Sequence, residues 1–190
     1  MTPEEVSDFE RVIRDGGIAV FPTDTVYGIG CRPDDESALA RVYELKGRAA
    51  ERPSATMWFQ LEAALGELGP LGPRTRAALE RLLPGPVLVV VPSGLGVRVP
   101  LLEGSLAPLA AAQGAVVQTS ANLTGEPAPR RLEEVPPALR AGADLVLDGG
   151  TLPGTASTVL DLSRYEDEGA WEILREGAVG SGAVAELLGG

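Results

Sequence analysis

An apolar stretch, Ile18-Ala19-Val20-Phe21, runs straight into Pro22-Thr23-Asp24-Thr25-Val26-Tyr27-Gly28-Ile29-Gly30-Cys31, and a helical pattern follows. Pro22 fixes its own φ and lacks an N–H, so a strand entering this run cannot simply continue. Side-chain hydroxyls at Thr23, Thr25 and Tyr27 and the carboxylate of Asp24 fall within five residues. Gly28 and Gly30 permit backbone angles and close approaches that a side chain would forbid. The expected result is a polar loop at a strand end, where α/β proteins commonly place ligands. A plain turn between a strand and a helix fits the local chemistry equally well.

The chain on either side alternates helices and strands. Thr2 as N-cap, Pro3 in the first turn and Glu5 three residues on make a helix start, with Val6, Phe9, Val12 and Ile13 as its apolar stripe and Gly16-Gly17 as its stop. Asp34 or Asp35 caps a second helix carrying Leu39, Val42, Tyr43 and Leu45, which ends near Lys46-Gly47-Arg48. Cations are favourable at any helix C-terminus, so a solvated helix end accounts for Lys46 and Arg48 by itself. Beyond Arg52-Pro53, a strand is expected at Thr56–Phe59 and helices at Leu61–Leu68 and from Pro73 to Leu83. Val87–Val91 is apolar on both faces and reads as a central strand. Gly96–Pro100 alternates around one buried-side arginine, Arg98. Leu106–Ala112 reads as a helix and Ala115–Val117 as a core strand running into Gln118–Gly125. Further strands are expected at Leu145–Asp148, Ser157–Leu162 and, as an edge, Trp171–Arg175, before a closing helix from Ala183 to Leu188. No repeat or linker interrupts the pattern. It predicts one domain over residues 1–190, of α/β or α+β class, with a mixed twisted sheet.

The 190 residues carry a net charge of −11, no histidine and a single cysteine, Cys31. That charge argues against a broad electrostatic grip on nucleic acid or anionic membrane, while leaving room for a small basic cleft. Without histidine there is neither an imidazole base nor an imidazole metal ligand. One cysteine excludes an internal disulfide and suits a reducing, cytoplasmic compartment. No apolar run approaches the roughly 20 residues that span a bilayer, and the N-terminus lacks a signal-peptide pattern. Fifteen of the 16 basic residues are arginine, Lys46 being the exception, and Asn122 is the one asparagine. Such residues persist either by chance or because Arg and Asp cannot do their chemistry.

Four polar groups follow apolar strands: the Thr23–Tyr27 loop, Arg98, Thr119–Asn122 and Ser157-Thr158. If those strand ends lie side by side they line one pocket, with Lys46, Arg48, Arg52 and Arg175 adding positive charge. Such a pocket suits a hydroxylated anion such as a nucleotide held with an amino acid. It does not suit nucleophilic hydrolysis, because no Ser–His pair exists and Ser120 lacks a G-x-S-x-G elbow. Neither a Walker A sequence nor a Rossmann glycine fingerprint is present.

Pro22-Thr23-Asp24-Thr25-Val26-Tyr27-Gly28 resembles the opening motif of the YrdC-like family, the threonylcarbamoyl-AMP synthases. Further segments follow in the family's order: Lys46-Gly47-Arg48, Arg52-Pro53, Pro84-Gly85-Pro86, Gly96–Pro100, Thr119–Asn122 with Gly125, Ser157-Thr158-Val159, and Ile173–Ala178. The resemblance implies a YrdC/RibB-like twisted mixed sheet flanked by helices around a deep cationic cleft, without the additional C-terminal domain of longer members. It also implies a nucleotidyltransferase. L-threonine, bicarbonate and ATP, with Mg²⁺, would give threonylcarbamoyl-AMP and pyrophosphate, and a separate transferase would pass the group to adenosine 37 of tRNA.

Carried over by motif, Lys46, Arg48, Arg52 and Arg175 would hold phosphates and adenylate, with Lys46 and Arg48 as the catalytic pair. Ser120 and Asn122 would line the nucleotide site, and Thr25, Arg98, Thr119 and Ser157 would bind threonine and its carbamate. No residue is expected to ligate a metal directly. The chemistry fits an inventory without histidine, since the nucleophile is the substrate's own carbamate oxygen and the developing charge is met by Lys, Arg and Mg²⁺. Arg98 is expected to pair bidentately with the threonine carboxylate. Lys46→Ala is expected to fold normally and to lose turnover.

Two positions depart from the family pattern. Leu88 stands where a threonine is usual, and Ser54–Met57 stand where many members have a histidine, with Thr56 a candidate to replace one hydroxyl. The other readings are a non-catalytic relative binding nucleotide or RNA in the same cleft, and a carbamoyl-adenylate enzyme using carbamoyl phosphate.

Overall fold

The computed structural model describes residues 1–47 and 55–189. Helix α1 spans Pro3–Arg14 and begins with the expected capping box: Thr2 Oγ1 accepts from the Glu5 amide, and Glu5 accepts from the Thr2 amide at 2.6 Å. Its buried stripe is Val6, Phe9 and Ile13. Strand β1 follows at Ala19–Pro22, and Thr23–Val26 form a tight turn into β2, Tyr27–Cys31.

That pairing corrects the expectation of a loop reaching Cys31. Pro22 ends β1, but the chain reverses and Tyr27-Gly28-Ile29-Gly30 pair back antiparallel on β1. Close approach of backbone requires Gly30, and Gly28 makes room for the Gln118 side chain. A Cβ on Gly30 would sit 2.6 Å from the Val117 carbonyl oxygen, and one on Gly28 would sit 2.6 Å from Gln118 Nε2. Both contacts are shorter than packed atoms tolerate, so the flat stretch of β2 lets the next strand come close.

Helix α2 spans Glu36–Leu45, capped by Asp35, whose carboxylate accepts from the Ala38 amide at 2.9 Å. It is followed by β3 at Ala55–Trp58, α3 at Leu61–Glu67, α4 at Pro73–Leu82, β4 at Val87–Val90 and β5 at Gly96–Arg98. Gly104–Ala111 is a 3₁₀ helix, accommodating Pro108, where the apolar pattern suggested an ordinary helix. Strand β6 covers Ala115–Ser120, α5 Pro137–Gly142, β7 Leu145–Val146 and β8 Thr158–Asp161. A short helix that the sequence pattern does not signal, α6, covers Tyr165–Glu168, before β9 at Glu172–Arg175 and α7 at Ser181–Leu188. None of the described helices is long and apolar enough to cross a membrane.

The strands form one mixed sheet in the order β7-β1-β2-β6-β3-β5-β4-β8-β9. The pairs β1–β7, β3–β5 and β4–β8 are parallel, and the rest antiparallel. β9 is an edge, as its alternation suggests, and β4 is interior. Two apolar clusters support the sheet. One gathers α1, α2 and α5 around β1 and β2; the other gathers α3, α4 and α7 around β4, β5 and β8.

Register then decides what faces what. Side chains alternate along a strand, and the partners are Ala55 with Gln118, Met57 with Arg98, Gly96 with Val90, Leu88 with Val159 and Val159 with Arg175. Ala55, Leu88, Arg98, Gln118, Ser120 and Arg175 therefore share one face. Thr56 pairs with Val97 on the other, so it cannot supply a hydroxyl to this face.

Candidate functional site

A cavity of about 350 Å³ opens on that shared face. Its polar wall is made by Arg98, Gln118, Thr119, Ser120, Asn122, Ser157 and Arg175, contributed by β5, β6 and the flanks of β8 and β9. Val26, Ala55 and Leu88 give it an apolar side, and Glu126 stands at the rim. A larger groove of about 570 Å³ lies between α1 and residues 113–115, but none of the candidate site residues lines it.

Arg98 organises one end. It is 4% exposed, and its Nη2 donates to Asp24 Oδ1 and Thr25 Oγ1, each at 2.6 Å, and to Thr23 Oγ1 at 3.1 Å. Nη1 donates to Gln118 Oε1 at 3.3 Å, while Nε is buried without a partner. Asp24 is held at its other oxygen too, accepting from the Leu101 amide at 3.0 Å. Burial pushes the Asp24 carboxyl up, against the pull of Arg98 and of that amide. The Thr23–Val26 turn is tied internally, Thr23 Oγ1 donating to the Val26 carbonyl at 2.7 Å. The hydroxyls and carboxylate of the opening motif thus converge on one guanidinium. The bidentate pairing expected of Arg98 meets an end already occupied by a protein carboxylate.

Arg175 closes the opposite end. Its Nε and Nη2 donate to the Ser157 carbonyl at 3.3 and 2.8 Å. Lost hydration, and secondarily the charge of Arg98, lower its pKa. Among the described residues no carboxylate pairs with it. Gly177 lets this strand end lie on β8, because a Cβ there would sit 2.4 Å from both the Ala156 oxygen and the Thr158 nitrogen.

Lys46 is the C-cap of α2 and is 3% exposed, which replaces the solvated helix end. Its ammonium donates to the backbone carbonyl of Ser120, and to that of Asn122 at 2.7 Å. It therefore stands behind the cavity wall, tying α2 to the segment after β6. The Asn122 amide donates to the carbonyls of Leu123 at 3.0 Å and Glu126 at 2.7 Å. Those two acceptors fix the amide's orientation and leave Oδ1 buried with no partner.

The structure thus brings Arg98, Thr119, Ser120, Asn122, Ser157 and Arg175 to one cavity. It places Thr25 behind Arg98 and Lys46 behind Ser120 and Asn122. Arg48 and Arg52 lie outside the described residues. Leu88, flagged as a departure, does line the cavity. Sequence reasoning missed Asp24 and Gln118 as partners of Arg98. The signal for Gln118 was its place two residues before Ser120, on the same face of β6. Among the described residues no group of three Asp, Glu, Cys or His side chains is placed to hold a metal ion.

A model of the Sua5/YciO/YrdC family, whose description is telomere recombination, matches residues 11–177. The chain is 30% identical to the threonylcarbamoyl-AMP synthase of Pyrococcus abyssi over 195 aligned positions, covering 93% of this chain and 55% of that protein. It is 35% identical to the protein of the same name from Chromohalobacter salexigens, covering 87% of this chain and 96% of that one. Among solved structures, P. abyssi Sua5 complexed with L-threonine superposes with a TM-score of 0.84 at 26% identity, over 100% of this chain and 58% of the other. The chain therefore spans a little over half of the P. abyssi protein and nearly all of the C. salexigens one.

Proposed function

The chain belongs to the Sua5/YciO/YrdC family, and on that premise we propose that it is a threonylcarbamoyl-AMP synthase, a nucleotidyltransferase acting on L-threonine, bicarbonate and ATP. The observation that carries this reading is the convergence of Arg98, Ser120, Asn122, Ser157 and Arg175 on one polar cavity from four separate strand ends. The name shared by the relatives supports it, and so does the L-threonine in the complexed relative. We read residues 1–190 as one catalytic domain, which the near-complete coverage of the C. salexigens relative supports.

In this reading the threonine amine and bicarbonate condense to a carbamate, the bicarbonate C–O bond breaking with loss of water. The carbamate oxygen attacks the α-phosphorus of ATP, and the α–β bridging oxygen leaves with pyrophosphate. The work left to the protein is positioning and charge stabilisation. Arg175 meets phosphate oxygens at the open end. Ser120 and Asn122 face the nucleoside. The threonine carboxylate reaches Arg98, with Ser157 beside it, and Val26, Ala55 and Leu88 receive its methyl group. Lys46 acts through the carbonyls of Ser120 and Asn122 that its ammonium holds, and Arg48 and Arg52 supply further charge by the resemblance alone. Mg²⁺ enters as the ATP complex, ligated by phosphate oxygens and water. The product would serve tRNA threonylcarbamoylation in the cytoplasm through a separate transferase.

The test is pyrophosphate release from ATP, bicarbonate and Mg²⁺ with and without L-threonine. Threonine-dependent release supports the reading. Release indifferent to threonine, or no release from folded protein, refutes it.

A further inference from the structure

Arg98 carries more protein contacts than a ligand-facing arginine needs. The two hydrogens of Nη2 are shared among Asp24, Thr25 and Thr23, and Nη1 is tied to Gln118. The Asp24–Arg98 pair lies at 2.6 Å with side chains only 6% and 4% exposed. Asp24 cannot swing away freely, since its second oxygen is fixed by the Leu101 amide. Arg98 nevertheless lines the cavity. What it keeps for a ligand is the second Nη1 hydrogen, since Nε is buried away from the cavity without a partner.

We propose that Asp24 is the positioning residue of this cavity: a resident carboxylate that takes the Nη2 end of Arg98, cancels its charge, and confines a substrate carboxylate to the Nη1 side. The inference rests on the functional reading above in placing an amino-acid carboxylate at Arg98. Its physical logic is a balance of affinities. Without the Asp24 charge the cavity would hold two guanidiniums, Arg98 and Arg175, against the single rim carboxylate of Glu126, and would grip anions more tightly. Tighter binding of substrate and product alike lowers KM without raising kcat. A substrate carboxylate drawn toward Nη2 once the competing charge is gone would also leave its reacting geometry, and displacements of about 1 Å cost on the order of 10²-fold in rate.

The test uses Asp24→Asn, which keeps the shape and one acceptor for Arg98. Threonine KM should fall by about fivefold or more and kcat by at least about tenfold, a split that a merely structural loss does not produce. A KM unchanged or raised in folded variant overturns the proposal. Asp24→Glu retains the charge and moves the guanidinium by one methylene. Its KM should stay within about twofold of wild type while kcat falls, and a wild-type kcat overturns the positioning role even if Asp24→Asn fails to fold. Calorimetric titration with inorganic pyrophosphate alone reads the charge compensation without turnover. Tighter binding by Asp24→Asn supports the proposal, and equal or weaker binding overturns it. Should wild type show no threonine-dependent turnover while that gain persists, the functional reading fails and the compensation stands.

Discussion

Replacing Lys46 by methionine removes the ammonium and keeps the length of the side chain. The structure makes this a double perturbation, because the ammonium is buried and bonded to the carbonyls of Ser120 and Asn122. Hydrogen bonds from a charged donor contribute about 1.5–3 kcal/mol, and each buried carbonyl left unmet costs about 1–3 kcal/mol. These figures overlap, since the thioether leaves a little room for water and the desolvation of the ammonium is recovered, so the net loss is about 2–4 kcal/mol. For a chain of this size each kcal/mol lowers Tm by roughly 2–4 °C, which gives a drop of about 4–16 °C. Normal folding of a Lys46 variant, the expectation from sequence alone, is therefore replaced by a destabilised fold. Turnover should fall further than stability does, because the Ser120–Asn122 wall loses its tether. The assay pairs differential scanning calorimetry with threonine-dependent pyrophosphate release at a temperature where the variant is folded. A Tm within about 2 °C of wild type would refute the tether, and turnover within about twofold would refute any role for Lys46 in the site.

Three further outcomes follow from the geometry. Gly177→Ala should lower Tm by several degrees and raise the KM for ATP by moving Arg175, since its new Cβ meets backbone at 2.4 Å, whereas Gly180→Ala, with nothing within 4 Å, should change neither; equal effects in calorimetry and kinetics would refute the packing argument. The Asp144 carboxyl is held below its usual range chiefly by the Ile18 amide at 2.8 Å. A depressed folded pKa contributes stability that is present above the unfolded value of about 3.9 and is lost as pH falls through the folded one. Asp144→Asn should therefore show a shallower acid limb in Tm against pH, and an unchanged limb would refute the assignment. Burial pushes the Cys31 thiol up to about 11. Roughly 0.1% is then thiolate at pH 8, so a thiol-reactive disulfide reagent should label it only upon unfolding, and rapid labelling of the native protein would show β2 to be open.

Local signals were legible where one residue type dictates one conformation. The Thr2–Glu5 capping box and a cap of α2 at Asp34 or Asp35 follow from short-range hydrogen bonding, and the box is found with Asp35 as the cap. The alternation about Arg98 correctly placed it on a buried side. The hairpin at Thr23–Val26 was not legible, because Tyr27–Cys31 carries no polar–apolar alternation. All five of its residues are buried, and glycines at every second position remove the strand's usual β-branched signature. What makes it a strand is its neighbours, β1 and β6, both distant in information if not in sequence. Helix α6 was hidden for the opposite reason: Tyr-Glu-Asp-Glu has one buried side chain and no periodicity to detect.

The site was legible as a set of residue types and illegible as a set of partners. Four hydroxyl-, amide- or guanidinium-bearing segments at strand ends suggested one pocket, and the register of β3 through β9 supplies the reason they meet. No pattern could say that Asp24 faces Arg98 across 74 residues of chain, since pairing of charges carries no period. The same limit explains Lys46. Composition marked it as the one lysine left among arginines, and that mark suggested phosphate binding. The structure gives the ammonium a second reason to persist: a compact donor, buried on a flexible stem, reaching the carbonyls of Ser120 and Asn122. A guanidinium is planar and wider, and its fork matches paired oxygens lying in one plane. Lys46→Arg should therefore fail to restore the tether even though it keeps the charge, and this separates a requirement for shape from a requirement for positive charge.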